Sequence, residues 1–151
     1  MVRLAAAAVT LALLAGLGTA APAAAQTPEG RYSQQATAAT NAQRADEGLK
    51  ALRTNTCLRR AAVRQATLMA KREQIFHQDL GPVLGACQLS AAGENVAAGY
   101  PNGRSVVNDG WMNSDGHRAN ILSASWTLIA IAARKGHNGR WYVSQVFGRK
   151  A

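Results

Sequence analysis

The segment WMNSDGHRANIL, residues 111–122, places an apolar pair, a turn and a histidine next to one another. The sequence SDG within it is typical of a turn, and Ser114 or Asp115 can cap a helical turn that runs through Ile121. His117 follows this turn shortly after the apolar pair that opens the segment. We therefore expect His117 to be held against apolar neighbours.

Two more polar residues stand beside apolar ones earlier in the chain. His77 follows a phenylalanine, and Glu94 precedes the pair Asn95-Val96. Two imidazoles and a carboxylate are a suitable set for binding a divalent metal or for transferring a proton. Their spacings match no local metal signature such as H-E-x-x-H. From spacing alone, the more common role of each histidine is that of a hydrogen-bonded structural group.

A serine hydrolase built on Ser114 and His117 is not indicated. These two residues lie three apart in a short turn that offers no third group to orient the imidazole. The chain also lacks a G-x-S-x-G elbow around a serine. His137, the remaining histidine, lies in a predicted strand connection, where we expect it to be solvated.

The rest of the chain divides into helices first and strands last. The predicted elements in chain order are helices over 33–53 and 56–73, an extended segment over 90–99, a helix over 104–113 and strands over 126–133 and 141–147. The sequence GHNG, residues 136–139, has the chemistry of a hairpin connection. This order favours a layered α+β domain over a βαβ repeat.

Both long predicted helices are amphipathic. Along 33–53 the apolar positions form one narrow stripe, which consists of Ala38, Ala42, Ala45, Leu49 and Leu52. The helix over 56–73 has a cap at Asn55 or Thr56 and an apolar face of Leu58, Ala62, Ala66 and Met69. Its opposite face carries Arg60, Arg64 and Lys71. Such a basic stripe is usually the solvated side of a surface helix, and the alternative is a binding face.

The first 25 residues have the pattern of a secretion signal. One early cation, Arg3, precedes a mostly Ala and Leu run that is short of the length needed to span a bilayer, and a membrane anchor is the competing interpretation. Small residues place the cleavage site after Ala25, and cleavage after Ala20 fits nearly as well. We therefore predict a signal peptide over 1–25, a short polar leader over 26–32 and one domain over 33–151. The protein is expected to be secreted or periplasmic and not membrane-spanning.

The two cysteines, Cys57 and Cys87, both lie in the predicted exported part. An even count in an oxidising compartment favours a disulfide between them. Two buried free thiols are the alternative.

The composition is strongly basic. The chain has 17 Lys and Arg against 8 Asp and Glu, a formal net charge of +9, and loss of Arg3 with the signal would leave +8. Such a charge favours anionic partners such as cell-wall polymers, lipid headgroups or nucleic acid. Because charge alone is not specific, it indicates no particular nucleic acid.

Five separated motifs together resemble a known family. They are N-x-x-R-x-x-x-G-L-x-x-L over 41–52, His77, GENVA over 93–97, WMNSDGHRxNIL over 111–122 and YVxQVFG over 142–148. The combination is similar to the bacterial SCP-like extracellular domain of the CAP superfamily, the cysteine-rich secretory, antigen 5 and pathogenesis-related proteins. The resemblance covers about residues 33–148. It implies a three-layer α-β-α sandwich with a central antiparallel sheet.

The resemblance also implies a surface cleft with two histidines and two acidic residues. His77 and His117 match the two histidines, and Glu94 matches the first acid. The second acid falls at Ser114, so one anionic group is missing, and Asp115 is the neighbour that could substitute for it. The resemblance therefore implies zinc or another divalent metal in this cleft, but with one acidic ligand fewer than the family set.

Three functions follow as hypotheses. The sequence favours a protein that is not an enzyme. The first is a secreted, monomeric, non-catalytic domain that binds a lipid, a cell-envelope component or a partner protein. The second is a metal-assisted, peptidase-like hydrolase with zinc on His77 and His117 and with Glu94 as ligand or general base. The third is a polyanion binder that uses the basic stripe, and it predicts a steep salt dependence.

Overall fold

The computed structural model describes residues 25–151. The predicted signal peptide therefore lies outside the described residues, apart from Ala25. In the described part of the chain, no helix has the length and apolar character needed to cross a membrane.

Five α-helices and four strands follow one another along the described residues. The helices are α1 Pro28–Asp46, α2 Thr56–Arg72, α3 Gly81–Cys87, α4 Gly103–Ser105 and α5 Asp115–Leu122. The strands are β1 Arg53–Thr54, β2 Leu89–Ala98, β3 Leu128–Lys135 and β4 Trp141–Lys150.

The strands form one sheet in the order β1-β3-β4-β2. The hairpin β3–β4 and the pair β2–β4 are antiparallel, as predicted, and only the two-residue β1 runs parallel to its neighbour β3. Gly139, in the hairpin connection, has a φ of 77°, which suits glycine in such a turn. The strand β2 lies at one edge of the sheet, so it pairs with β4 on one side and with no strand on the other.

The sheet is covered by helices on both faces, which confirms the three-layer sandwich. Successive strand residues point to opposite faces, and the alternation is visible in β3. Ile129, Ile131 and Ala133 belong to the core beneath α1 and α5. Leu128 and Ala130 belong to the core beneath α2 and α3. Both faces of the central strands are buried, and most of their buried positions are apolar, with Ser144 and Gln145 of β4 as polar exceptions.

Helix α1 differs from its prediction in its ends. It begins at Pro28, so the residues assigned to a polar leader form its first turns, capped by the Thr27 side chain. It ends at Asp46 instead of continuing to Arg53, because Gly48 adopts a left-handed backbone with a φ of 69°.

The buried face of α1 also differs from the predicted alanine stripe. Of that stripe, Ala38, Ala42 and Ala45 are exposed. The buried positions recur every four residues and are Tyr32, Ala36, Thr40 and Arg44. Two of these are polar, and hydrogen bonds to distant segments satisfy them, which a hydrophobic pattern cannot show.

Helix α2 agrees with its prediction. The Asn55 side chain accepts a hydrogen bond from the Leu58 backbone N–H at 3.0 Å, as an N-cap does. The predicted apolar face is fully buried. The helix ends where Glu73 takes a left-handed conformation with a φ of 54°.

The segment predicted as a helix over 104–113 is helical, but its backbone hydrogen-bond pattern changes twice along it. The single turn α4 continues as a π-helix over Val106–Gly110 and a 3₁₀ turn over Trp111–Asn113. Each change of hydrogen-bond register rotates the side chains that follow. Trp111 is thereby directed at the sheet, where its indole N–H donates to the Val96 carbonyl at 3.2 Å.

Candidate functional site

The candidate site lies at the open edge of the sheet, around β2. Glu94 and Asn95 are consecutive residues of this strand, so their side chains point to opposite faces. Glu94 pairs in register with Val146, and Asn95 pairs with Gln145. Each residue therefore contacts a different helical layer.

Glu94 is buried and its carboxylate accepts four hydrogen bonds. Its side chain is 2% exposed. Oε1 accepts from the Gln78 side-chain amide at 2.7 Å and from the Ser144 hydroxyl at 2.9 Å. Oε2 accepts from the Gln78 backbone N–H at 3.1 Å and contacts His77 Nδ1 at 2.9 Å. A carboxylate has about four lone-pair positions, so these contacts use all of them.

His77 extends from the loop between α2 and α3 towards solvent. Its side chain is 59% exposed, while the carboxylate beneath it is buried. Since a carboxylate oxygen only accepts, Nδ1 of His77 carries the proton that is shared with Glu94. In the neutral imidazole the lone pair is then on Nε2, which is free to contact a ligand.

His117 lies in α5, on the other side of β2. The Asn95 side-chain amide donates to the His117 carbonyl at 3.1 Å, and Asn120 donates to the Asn95 side chain at 2.9 Å. Burial lowers the pKa of the His117 imidazole below 6.5, and repulsion from the nearby His77 lowers it further. Thus the two histidines interact electrostatically across the edge strand, and His117 is neutral at pH 7.

Ser114 and Asp115 flank this site without joining its hydrogen bonds. Ser114 is half-buried at the N-cap position of α5 but its side chain makes no capping hydrogen bond there. Asp115 is exposed in the first turn of the helix. Between residues 25 and 151, no three His, Cys, Asp or Glu side chains are grouped so that they could hold a metal ion.

The predicted disulfide is present. Cys57 and Cys87 are bonded with a sulfur–sulfur distance of 2.01 Å and connect the start of α2 to the end of α3. This crosslink holds the two helices of one layer together, on the side of the sheet that carries His77.

Comparison with known proteins identifies the family. The model of the cysteine-rich secretory protein family, CAP, matches residues 37–147. The chain belongs to the CAP family. An uncharacterized Bacillus subtilis protein, YkwD, is 33% identical over 109 residues, which cover 66% of this chain and 41% of YkwD. This chain therefore spans about two fifths of that relative.

Solved structures agree with this assignment. An extracellular SCP-domain protein from Bacillus anthracis superposes with a TM-score of 0.69 at 27% identity, covering 81% of this chain and 41% of that one. A cysteine-rich secretory protein from Staphylococcus aureus has a TM-score of 0.68 at 22% identity, with coverages of 81% and 39%. An outer surface protein from Borrelia burgdorferi has a TM-score of 0.67 at 20% identity, with coverages of 76% and 90%. The last two likenesses show the fold alone.

The CAP domain contains a buried polar network that the sequence analysis missed. The Gln145 side chain donates to the Thr40 hydroxyl at 2.8 Å and accepts from Asn95 at 2.9 Å. All three residues are fully buried. The sequence did hold a signal for it, because Asn95 and Gln145 are polar residues at inward positions of otherwise apolar strands. The network connects α1, β4 and β2, and through Asn95 it reaches the backbone of His117.

A groove adjoins His77 on the layer formed by α2 and α3. It has a volume of about 550 Å³ and includes the disulfide in its lining. Leu68, Phe76 and Val83 contribute apolar surface to its lining, and Arg60, Arg64 and Asp79 contribute charge. The groove offers apolar contact and positive charge next to the exposed imidazole.

Proposed function

We propose that this CAP domain is an exported binding protein without a catalytic role. Its ligand, a lipid, a cell-envelope component or a partner protein, sits in the cleft between His77 and His117. The observation that carries the proposal is the complete engagement of Glu94 by hydrogen bonds within the protein.

An engaged carboxylate is a poor general base. To accept a proton from water, Glu94 would have to give up a bond to Gln78, Ser144 or His77 in a site where its side chain is 2% exposed. Losing a hydrogen bond to a buried charged group costs about 1.5–3 kcal/mol. The carboxylate is instead suited to fixing the tautomer and direction of His77, which leaves Nε2 as an acceptor for a ligand.

The adjoining groove supports an apolar or amphiphilic ligand. Its volume of about 550 Å³ is within the range of sites for small molecules. Its lining combines apolar side chains with several polar and charged ones, which suits a ligand that has both an apolar and a polar part. A ligand that filled the groove would present its polar end to His77.

A zinc-dependent hydrolase is the alternative, and the residues present do not fit it. Catalytic zinc takes three protein ligands and an open position. Glu94 has no free lone pair, and the described residues include no group of three ligating side chains. The serine at position 114 leaves the family's second acidic position without a charge. We therefore assign no chemical step to a metal.

Native mass spectrometry of the protein purified from its own secretions tests the proposal. We expect a bound small molecule that is retained by His137→Ala and lost or reduced in His77→Ala and His117→Ala. His137 is the matched control because it is an exposed histidine of the hairpin connection. An unoccupied protein that also fails to bind extracted envelope lipids and proteins would contradict the proposal.

Enzymatic and metal assays decide the alternative. Hydrolysis of a peptide or ester library that His77→Ala abolishes would replace the binding protein with an enzyme. Metal analysis after dialysis should find no stoichiometric zinc, and added zinc should leave the thermal stability unchanged. The variant Ser114→Glu restores the missing acid, so a zinc-induced rise in its melting temperature would show that the assay detects a completed site.

A further inference from the structure

The sheet has a second open edge, on the side opposite β2. Strand β1 pairs with the first two residues of β3, Leu128 and Ile129, and then ends. The chain leaves the sheet at this point, because Asn55 is already the N-cap of α2. The rest of β3, up to Lys135, therefore pairs with β4 on one side and with no strand of the described residues on the other.

The register of β3 shows which backbone groups face this edge. The Ile129 carbonyl accepts a hydrogen bond from the Asn55 N–H at 3.1 Å, so the backbone groups of Ile129 point away from β4. In an antiparallel pair, successive residues direct their backbone groups to alternate sides of the strand. Ile131 and Ala133 therefore direct their N–H and C=O groups outward, at positions that β1 does not reach.

One of these outward groups is occupied by a side chain. The guanidinium of Arg134 donates from Nη1 to the Ala133 carbonyl at 2.8 Å. This is the bond that the N–H group of an added strand would make in its place. An added strand would thus release the Arg134 guanidinium for contact with an acidic side chain of the same strand.

Two adjoining grooves lie along this edge, between α1 and α2. Their volumes are about 560 and 500 Å³, and Ser33, Arg59 and Ile131 line both of them. One groove extends to Arg134, and the other extends to Thr54 at the end of β1. We call the two grooves together the β3 slot. Because an added strand has the same rise per residue as β3, the open part of β3 accommodates about five residues of extended chain.

The β3 slot is positively charged on the side of α2. Arg59 belongs to this helix, and Arg134 lies two residues beyond Ala132, whose side chain packs in the core beneath α2. Neither arginine takes part in an ion pair with a described residue. On the side of α1 the lining includes the acidic Glu29 and small uncharged residues. The two sides of the slot therefore suit different side chains.

We propose that the β3 slot binds an extended acidic peptide, which adds a strand to β3. The peptide backbone pairs with Ile131 and Ala133, and its alternate side chains face the two helices. In such strand addition, main-chain hydrogen bonds provide affinity and contacts with alternate side chains provide specificity. Acidic side chains at every second position meet Arg59 and Arg134, while apolar ones between them face α1.

The charge of the β3 slot favours a peptide over a second copy of this chain. Two copies that paired through this edge would bring their Arg59 and Arg134 side chains towards one another, and like charges across an interface are unfavourable. An acidic peptide instead neutralises these charges.

This site is separate from the cleft of the proposed function. The β3 slot and β2 lie at opposite edges of the sheet, and no residue lines both the slot and the groove beside His77. His77→Ala should therefore bind the peptide as the unchanged protein does. Failure of the peptide to bind would leave the cleft ligand untouched, and loss of the cleft ligand would leave the peptide site untouched.

Fluorescence anisotropy tests the proposal with the protein purified after export. The probe is the labelled peptide Thr-Val-Glu-Val-Glu-Val-Thr, which has acidic and apolar side chains on opposite faces. We expect saturable binding that salt weakens. The same peptide with Lys in place of both Glu should bind at least tenfold more weakly, because two attractive contacts become repulsive. Equal binding of the two peptides would overturn the proposal.

Two N-methylated forms of the acidic peptide test the backbone pairing. One form is methylated on the odd-numbered residues and the other on the even-numbered residues. Since an added strand turns only every second N–H towards its neighbour, one form should lose binding and the other should retain most of it. Equal losses in both forms would mean that the peptide does not bind as a strand.

Substitutions in the protein locate the site. Arg59→Gln with Arg134→Gln should weaken binding about fourfold, because each exposed charge pair contributes a factor of about two. Arg60→Gln with Arg64→Gln makes the same change of charge on the same helix, outside the β3 slot, and should have little effect. Equal losses in the two pairs would show attraction to net charge alone and would overturn the proposal.

Nuclear magnetic resonance provides the direct readout. Addition of the acidic peptide should move the N–H signals of Ile131 and Ala133 downfield and slow their exchange with solvent, since both N–H groups gain acceptors. The N–H of Ala132 faces β4 and should change little. Bound peptide without these changes would overturn the proposal. The same changes caused by raising the protein concentration without peptide would also overturn it, in favour of a second copy at this edge.

Discussion

Arg44 is a buried cation of α1 that holds two other segments of this CAP domain. It is 1% exposed. Its Nε donates to the Lys50 carbonyl at 3.0 Å, and Nη1 donates to the carbonyls of Ile121 and Ser123, both at 2.8 Å. Arg44 thus ties α1 to the loop that follows it and to the end of α5, the helix that carries His117. We predict that truncation of this side chain strongly destabilises the fold.

The magnitude follows from the burial of each bond. The bond to Ile121 is buried, and a hydrogen bond to a charged group contributes about 1.5–3 kcal/mol. The other two bonds are part-buried, so water can replace much of each, and about 1 kcal/mol apiece is a suitable value. Burial of the guanidinium, which lowers the pKa of Arg44, opposes these gains. Arg44→Ala should therefore lower the free energy of unfolding by about 3 kcal/mol, a large part of the total for a small domain.

Urea-induced unfolding monitored by circular dichroism measures this loss. Arg44→Lys keeps the charge, but one ammonium on a flexible chain cannot reproduce the planar fork, so we expect at least half of the loss. Arg31→Ala is the control on the same helix, because Arg31 is exposed, and its effect should stay within about 0.5 kcal/mol. If Arg44→Ala were no less stable than Arg31→Ala, the reasoning would be refuted.

Three other perturbations have defined outcomes. Because the pKa of His117 is lowered in the fold, the unfolded chain binds the proton more readily, and stability should fall as the pH drops through 6.5. His117→Gln should flatten that part of a pH series of urea titrations, and an unchanged slope would contradict the assignment. Removing the Cys57–Cys87 bond, which closes a separation of 30 residues, should cost about 3–4 kcal/mol by loop entropy, and a melting temperature that reduction leaves unaltered would argue against this. Gly103→Ala should cost several kcal/mol, since its Cβ would lie 2.1 Å from a backbone oxygen of α1, whereas Gly116→Ala meets no atom within 4 Å and should be neutral in the same denaturation assay.

The fold was largely predictable because its strands and α2 follow simple periodicities. The hairpin and α2 appear where the pattern of apolar residues places them. The buried face of helix α1 was not predicted correctly, because it includes Thr40 and Arg44. The hydrogen-bond partners of these two residues lie far away in sequence. Alanines at 38 and 42 have little apolar surface, so their stripe was a weak indicator of which side faces the core.

The site was predictable only in part, and for a similar reason. His77 and Glu94 stood out as polar residues beside apolar ones, and they are in direct contact at 2.9 Å. Gln78 and Ser144 did not stand out, because an amide and a hydroxyl are common at the surface. Their role arises from the carboxylate that they face across 16 and 50 positions of chain. The sequence shows that the buried carboxylate of Glu94 needs hydrogen-bond donors, but only the fold shows that Gln78 and Ser144 supply them.

One dipeptide of β2 contacts both histidines, and this makes the edge strand a suitable place for the proposed cleft. Glu94 fixes the ring of His77 on one face of β2, while Asn95 holds the backbone of His117 on the other face. Consecutive strand residues must point to opposite faces, so this division requires no special backbone conformation. A slip of β2 by one residue against β4 would exchange the two faces and separate both histidines from their supports. The register of Glu94 opposite Val146 is therefore a condition for the proposed cleft as well as for the core.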